Sequence, residues 1–472
     1  MDSKILRYVL ALVNTVILGI YFEPGSIIVK VRPYKNGKGH VCPICGERHK
    51  CYDHLETRRW RALDIGRMKC YLEYAPVRVD CPKGGVRVEE VPWARPKSRF
   101  TRDFEDWVAC LTIHSAKSWV SRQARVEWHT IGNICKRVYD EIEAARGVGR
   151  FDGLRRIGID ETSYKKGHKY LTVVVDHDRG CIVWAHEGYG KEVLSLFLDE
   201  LTREQRRSIE VVTADGARWI KSLVKRKCPN AKWVMDPFHV VMWMNDALDE
   251  VRRDEWRVAK DAAKAARPKR GGPGRPKKGE ETPREAKDLQ ERATAIKNSR
   301  YALVKNPEDL TDGQREKLRE LRKAGGHLFR AWELKEDLRA VFRAGSAEEA
   351  EELLAQWLHD AAYCRIKPVV EVEKKVRRRR ADVINAVRLG ISNGRVESLN
   401  QKIKTIVKVG YGFRNTDNLI ALIMLSCSDE RPVLPWEDRG EEKAKREARL
   451  ERDRERDRAR RKDKAAKAEA VA

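Results

Sequence analysis

The sequence predicts a mixed α/β core preceded by β-rich and helical modules and interrupted by a long helical segment. Between Arg155 and Phe238, strand-like runs ("LTVVVD", "CIVWAHEG", "IEVVTADG", "KWVMD") alternate with helical ones ("KEVLSLFLDELTREQ", "ARWIKSLVKRKC"). Three strands followed by strand, helix, strand indicate a mixed sheet. Upstream, residues 25 to 95 alternate like short strands around clustered cysteines, and downstream of Val240 the chain is charged and helical in period to about Arg380.

With 472 residues and 41% hydrophobic content, the chain is long enough for two to four domains and is not a disordered protein. Its 98 Lys and Arg exceed 72 Asp and Glu, a net charge of +26. Such a surplus attracts polyanions through counterion release, so nucleic acid is the leading partner, with a basic but inert surface as the alternative. Of the eleven cysteines, Cys42, Cys45, Cys51, Cys70 and Cys81 crowd the N-terminal part. That distribution fits metal binding in a reducing cytosol better than a disulfide framework.

The elements follow in order. "YVLALVNTVILGIYF", Tyr8 to Phe22, contains Asn14 and Thr15 and runs into the alternating "SIIVKVRP"; it reads as a buried helix or strand, and no apolar run reaches a membrane span. From Ser98 the period becomes helical, with Phe104, Trp107, Val108 and Leu111 on one face. Two helices around "ARVEWHTIGNI" make a helix-turn-helix at about 115–140, with Thr130 as the cap of the second. "ARPKRGGPGRPKKGEETP" reads as an exposed linker, with minor-groove contact as the rival reading. After Leu434 nearly every residue is charged or Ala, a tail that forms a frayed helix or no structure.

Three carboxylates stand out. Asp160 follows "RRIGI", Asp215 follows "IEVVTA" at a strand end, and Glu397 lies on a helical "ISNGRVESLNQKIKTIVKVGYGF". Carboxylates at strand ends joined by a third from a helix make an oxygen-rich site for Mg²⁺, and two such ions about 4 Å apart serve phosphodiester chemistry. Taken singly, each reads equally as a cap or turn residue. Asp236 and His239, three apart in "MDPFHVVMW", form a weaker pair.

Together "GIDETSYKKGHKYLTVVVDHDRG", "TADGARWI" with "CPNAKWVMDPFHVV", and "SNGRVESLNQKIKTIVKVGYGFRN" resemble the DDE transposases of bacterial insertion sequences of the ISL-three type, over about residues 41 to 426. The resemblance implies a ribonuclease-H-like mixed-sheet catalytic core interrupted by an all-helical insertion, with N-terminal zinc-ribbon-like and helix-turn-helix modules. It implies Asp160, Asp215 and Glu397 as the catalytic ligands of Mg²⁺ or Mn²⁺. In related transposases an acid or Cys separated by two residues from a His follows the second Asp; Asp236 and His239 match as supporting residues, and Asp236 rivals Asp215 as second ligand. "CPICGERH" and a later "CP" resemble the family's zinc motif, with Cys42, Cys45 and Cys81 as ligands. Gly84 stands where the fourth Cys would be, so zinc stays open, with His49, Cys51 or His54 as candidate fourth ligands.

The expected boundaries are a zinc-binding-like module to 97, a helix-turn-helix at 98–150, the first part of the core at 151–240, a helical insertion at 241–385, the last part of the core at 386–430, and a tail to 472. Asn133, Lys136 and Arg137 on the recognition helix, and Lys402 and Lys404 beyond Glu397, are the expected DNA contacts; a packed helical hairpin and a solvated face are the bland readings. The implied activity is cleavage at transposon ends and strand transfer of the freed 3′-hydroxyl into target DNA. Partners would be double-stranded DNA, as terminal inverted repeats and target, and a second copy of the chain; the location would be cytoplasmic, at the nucleoid. A non-catalytic DNA-binding regulator and a ribonuclease-H-like nuclease are the alternatives.

Overall fold

The structure, a computed structural model, describes residues 3–34, 39–214, 218–267, 283–438 and scattered positions from 440 to 459. Asp215, most of the Gly/Pro-rich basic loop and much of the charged tail lie outside the described residues.

After a short helix, Ser3–Val9, the chain builds a four-stranded sheet from β1 (Thr15–Glu23), β2 (Ser26–Pro33), β3 (Arg58–Ile65) and β4 (Met68–Tyr74), in the order β1-β2-β4-β3. The apolar run from Tyr8 is therefore a helix end followed by an edge strand. It is not buried throughout: Tyr8 on the helix, Val13 in the connection, and Leu18 and Phe22 on β1 are exposed, while Ile17 and Ile20 pack on the core. Inserted into this sheet and following it are the hairpin His40–Val41/Arg48–His49 and the small sheet of Cys51–His54, Val77–Cys81 and Gly85–Val88.

Three helices follow: α1 (Arg102–His114), α2 (Lys117–Ala124) and α3 (Trp128–Arg146). Thr101 caps α1 through the Phe104 N–H. The N-cap of α3 is Glu127, and Thr130 lies inside the first turn rather than at the cap. Ile131, Ile134, Cys135 and Val138 of α3 pack against α1 on one side and Leu422 and Leu425 on the other. Beneath them, a buried charge network joins Arg95 to Asp106 (2.7 Å) and Glu141 (2.7 Å), and Arg137 to Glu105 (2.6 Å).

The central sheet comprises β5 (Arg156–Lys165), β6 (Lys169–Asp176), β7 (Cys181–Glu187), β8 (Val211–Ala214) and β9 (Lys232–Met235), in the order β7-β6-β5-β8-β9. β5, β6 and β7 form an antiparallel meander, while β8 and β9 join in parallel. α4 (Lys191–Glu200) and α5 (Arg218–Lys227) cover one face around Ile157, Ile159 and Phe197.

From β9 the chain enters α6 (Pro237–Ala265), then α7 (Arg284–Asn298), α8 (His327–Val341), α9 (Ala347–Tyr363), α10 (Lys367–Arg377) and α11 (Arg380–Leu389), which share a separate apolar core around Leu334 and Trp357. The chain then returns as α12 (Gly394–Val409) and α13 (Thr416–Cys427), covering the second sheet face around Val173, Val175, Val396 and Ile423. α13 is buried along most of its length between this sheet and α3. Each such Leu, Ile or Met contributes roughly 1.5–3 kcal/mol, which fixes the helix-turn-helix to the sheet that carries Asp160.

Candidate active site and metal module

Successive residues of β5 point to opposite faces. Gly158 and Asp160 face α12, whereas Ile157, Ile159 and Glu161 face the other way. Gly158 decides how close α12 comes: a Cβ there would lie 2.4 Å from Val396 Cγ2 and 3.1 Å from Thr213 Oγ1. The missing side chain lets α12 lie on the strand one residue away from Glu397.

Glu397 is exposed in the first turn of α12. Its pKa is raised, chiefly by partial burial and then by the negative charges of Asp236 and Asp160, while His239 and Lys404 act in the opposite sense. These carboxylates therefore share one electrostatic neighbourhood, the condition expected of ligands awaiting a cation. Asp160 is held at both oxygens: Oδ1 accepts from the Glu161 N–H at 2.8 Å and Oδ2 from Asn400 Nδ2 at 2.6 Å. Asn400 lies one turn beyond Glu397 and is 6% exposed, and its Oδ1 has no partner among the described residues. A carboxylate only accepts, so the amide must present nitrogen to Asp160 and leave its oxygen over. Sequence reading passed over Asn400; its position three after Glu397 on one helix face was the available signal.

Asp236 is 1% exposed and caps α6. Its Oδ1 accepts from the Phe238 and Asn393 N–H groups, each at 3.3 Å, and Oδ2 meets His239 Nδ1 at 3.1 Å. Asn393 Oδ1 accepts from Thr213 Oγ1 (2.8 Å), whose oxygen also meets His177 Nε2 (2.7 Å). The chain of contacts ties β8, α6 and the start of α12 together. Burial, and then the Arg395 charge, push the His177 pKa down to about 4, so this imidazole is neutral at pH 7. Glu161 turns away from this cluster and serves α4, where its Oε1 accepts from the Gly190 N–H at 2.7 Å at the start of the helix.

The expected DNA contacts separate. Lys404 is exposed and its charge reaches Glu397, whereas Lys402 donates to the Ser426 carbonyl at 2.6 Å. On α3, Asn133 is exposed beside Asn418 (3.3 Å) and Lys136 is paired with Asp140 (2.6 Å). Arg137 is turned inward onto the fully buried Glu105, so it braces α3 against α1.

In the N-terminal module, ligand atoms of Cys42, Cys45, His49 and Cys81 all lie within 4.8 Å of one another. Cys45 Sγ is 3.1 Å from His49 Nε2 and 3.6 Å from Cys81 Sγ. The Cys45 N–H and, less strongly, that of Ile44 lower the Cys42 pKa, favouring the thiolate that binds metal. Gly84 has no donor atom to offer this set, and Ile44 Cδ1 stands 2.5 Å from where its Cβ would be. Cys51 and His54 are exposed and form a separate pair at 3.8 Å. His49 is thus the fourth member of a Cys₃His group, a donor set suited to a borderline-soft cation in tetrahedral geometry.

Comparison with known proteins agrees with this layout. A transposase family profile, the DDE type of ISL3 elements, matches residues 157–423. The helix-turn-helix domain of ISL3-family transposases matches 89–139, and the zinc-finger of the transposases of IS204, IS1001, IS1096 and IS1165 matches 38–84. The chain belongs to the ISL3 family of transposases. It is 43% identical over 429 residues to the transposase for insertion sequence element IS1557 of Mycobacterium tuberculosis, covering 89% of this chain and 94% of that protein. Against the transposase for IS1001 of Bordetella parapertussis it is 24% identical over 398 residues, covering 84% and 90%. This ISL3 transposase contains zinc-ribbon, helix-turn-helix and DDE transposase regions, and among the described residues no helix is long and apolar enough to cross a membrane.

Proposed function

We propose that this transposase cuts and joins DNA at the acidic cluster by two-metal chemistry, with Asp160, Asp215 and Glu397 as the ligands. The observation that carries this is the packing of α12 on β5 at Gly158, which sets Glu397 within the field of Asp160 and fastens Asn400, one turn on, to Asp160. The sheet order β7-β6-β5-β8-β9, antiparallel then parallel, supports a ribonuclease-H-like core, and the separate helical core of α6 to α11 supports an insertion within it. Asp215 enters by chain continuity alone, directly after β8, the parallel neighbour of β5. Asp236 is the poorer second ligand, because three donors already engage its carboxylate; it positions α12 and His239 instead.

The donor set is hard oxygen, which fits Mg²⁺ or Mn²⁺. Such ions, when bound, would activate the attacking oxygen and stabilise the leaving one. The chain's own residues do the rest. Asp160 and Glu397 hold the charge in place, Asn400 fixes the orientation of Asp160, and Lys404 offers an ammonium to phosphate oxygens. Cleavage by water and attack by the freed 3′-hydroxyl are both displacements at phosphorus, so one site serves both. Cys42, Cys45, His49 and Cys81 would hold a structural Zn²⁺. Asn133 and Lys136 face DNA, the substrates are terminal inverted repeats and target duplex at the nucleoid, and joining two ends calls for at least a dimer.

No observation favours the regulator or the simple nuclease. Strand transfer of pre-cleaved ends with Mg²⁺ or Mn²⁺ tests the assignment: Glu397→Gln should abolish it, and unchanged joining by that variant would refute the ligand set.

A further inference from the structure

A cleft of about 230 Å³ lies where the helix-turn-helix meets the last turns of α12 and the end of α13. It is smaller than the pockets of drug-sized ligands, which start near ~300 Å³. Lys117, Lys402 and His114 line it, and no carboxylate does. The Lys117 ammonium lies 4.1 Å from the Phe413 ring centroid and 5.1 Å from that of Trp128, on a residue only 7% exposed.

The two lysines lack a carboxylate counter-charge, Lys402 being held by the Ser426 carbonyl at 2.6 Å, and His114 is neutral at pH 7. Burial lowers the pKa of Lys117 and of Lys402, and burial followed by the positive charges of Arg431 and Lys402 lowers that of His114. No Asp or Glu acts on any of the three.

Two neutral groups complete the site. α2 starts beside the cleft, after Ala116, which has no side-chain acceptor for the Lys117 and Ser118 N–H groups, while the Trp119 N–H donates to the Ala116 carbonyl at 3.0 Å; a helix start without a side-chain cap favours an anion. Ser426, 2% exposed, also lines the cleft, and its Oγ has no partner among the described residues. A buried hydroxyl without a partner leaves a donor unused at the cleft wall.

We propose that this cleft binds one backbone phosphate of duplex DNA, gripped between the start of α2 and the helix that carries Glu397. The inference rests on reading the chain as a transposase that binds its element's ends. In helix-turn-helix proteins the first helix of the pair crosses the DNA backbone, and α2 is that helix. A phosphate seated here touches the recognition module and the catalytic helix at once, so end recognition fixes where the scissile strand lies.

The test uses the full-length protein and duplexes of its element's terminal inverted repeat, with single phosphates replaced in turn by neutral methylphosphonates. Affinity is measured across a salt series for wild type, Lys117→Gln and Thr405→Glu; Thr405 is exposed on the cleft rim, so the latter adds charge without disturbing a core. In Lys117→Gln the slope of log K against log salt should be shallower by about 1. One methylphosphonate position that weakens wild type should cost that variant nothing, and Thr405→Glu should weaken binding about tenfold by repulsion. Equal salt slopes and identical methylphosphonate penalties in wild type and variants would overturn the proposal. Should Lys117→Gln fail to fold, the Thr405→Glu result decides. If wild type neither binds nor joins its own ends, the transposase reading itself fails; if it does both and the variants match it, only the cleft assignment falls.

Discussion

Cys42, Cys45, His49 and Cys81 converge within 4.8 Å, with Cys42 and Cys81 buried, whereas Glu397 stands exposed among like charges from Asp160 and Asp236. The first set gathers soft donors inside a small module that has little other core, so a bound ion contributes to folding. The second sits on a sheet and helices that pack well without it. There the protein spends its structure on placement: a glycine that admits α12, an amide that fastens Asp160, and a polar chain from His177 to Asp236. A closed site stabilises the chain and an open one is stabilised by it, and this difference sets what substitutions should do.

The largest effect belongs to Glu397→Gln. Strand transfer should fall by on the order of 10³-fold or more, with end binding retained and the unfolding midpoint of the metal-free protein unchanged or slightly raised, since a repelled charge is removed. His49→Ala should behave in the opposite way: bound zinc is lost, and limited proteolysis opens the 39–88 module while the transition of the catalytic region stays in place. Gly158→Ala should push α12 off β5 and lower joining by roughly 10²-fold through misplacement of Glu397, read in single-turnover assays. Asn400→Leu keeps the volume but frees Asp160; metal affinity by Mn²⁺ titration should weaken about 10- to 100-fold, and added metal should restore part of the activity. The smallest effect is one of stability. His177 titrates near pH 4 in the fold and near ~6.5 unfolded, so below pH 6.5 the unfolded chain takes up a proton that the folded one refuses. Stability should fall by up to about 3 kcal/mol as pH drops from 6.5 to 4, and His177→Gln should flatten that part of the denaturation profile.

What could be read from the sequence was local. Asp160 in a strand, Glu397 on a helix and the helix-turn-helix starting near Lys117 each follow from short-range period and composition. The misses arose from contacts between distant segments. His49 could not be chosen over Cys51 or His54 because the choice depends on the hairpin that brings His49 to Cys45, while Cys51 and His54 pair with another strand. Lys402 and Lys404 look alike in sequence, yet two residues on a helix point about 200° apart: Lys404 faces the acids and Lys402 the cleft beside α2. Arg137 resembles a DNA contact until the buried Glu105 is placed beside it. Asn400 passes for an ordinary helix-surface polar residue, and its role depends on β5 lying beneath it.

The central claim is that Asp160 and Glu397 ligate ions at one site brought together over Gly158. Replacing Glu397 by Cys tests this through metal preference, because a thiolate disfavours Mg²⁺ and accepts softer ions. Wild type should join pre-cleaved ends with either Mg²⁺ or Mn²⁺, while Glu397→Cys should be inactive with Mg²⁺ and recover joining with Mn²⁺. Equal joining by the Cys variant with Mg²⁺ would contradict the account.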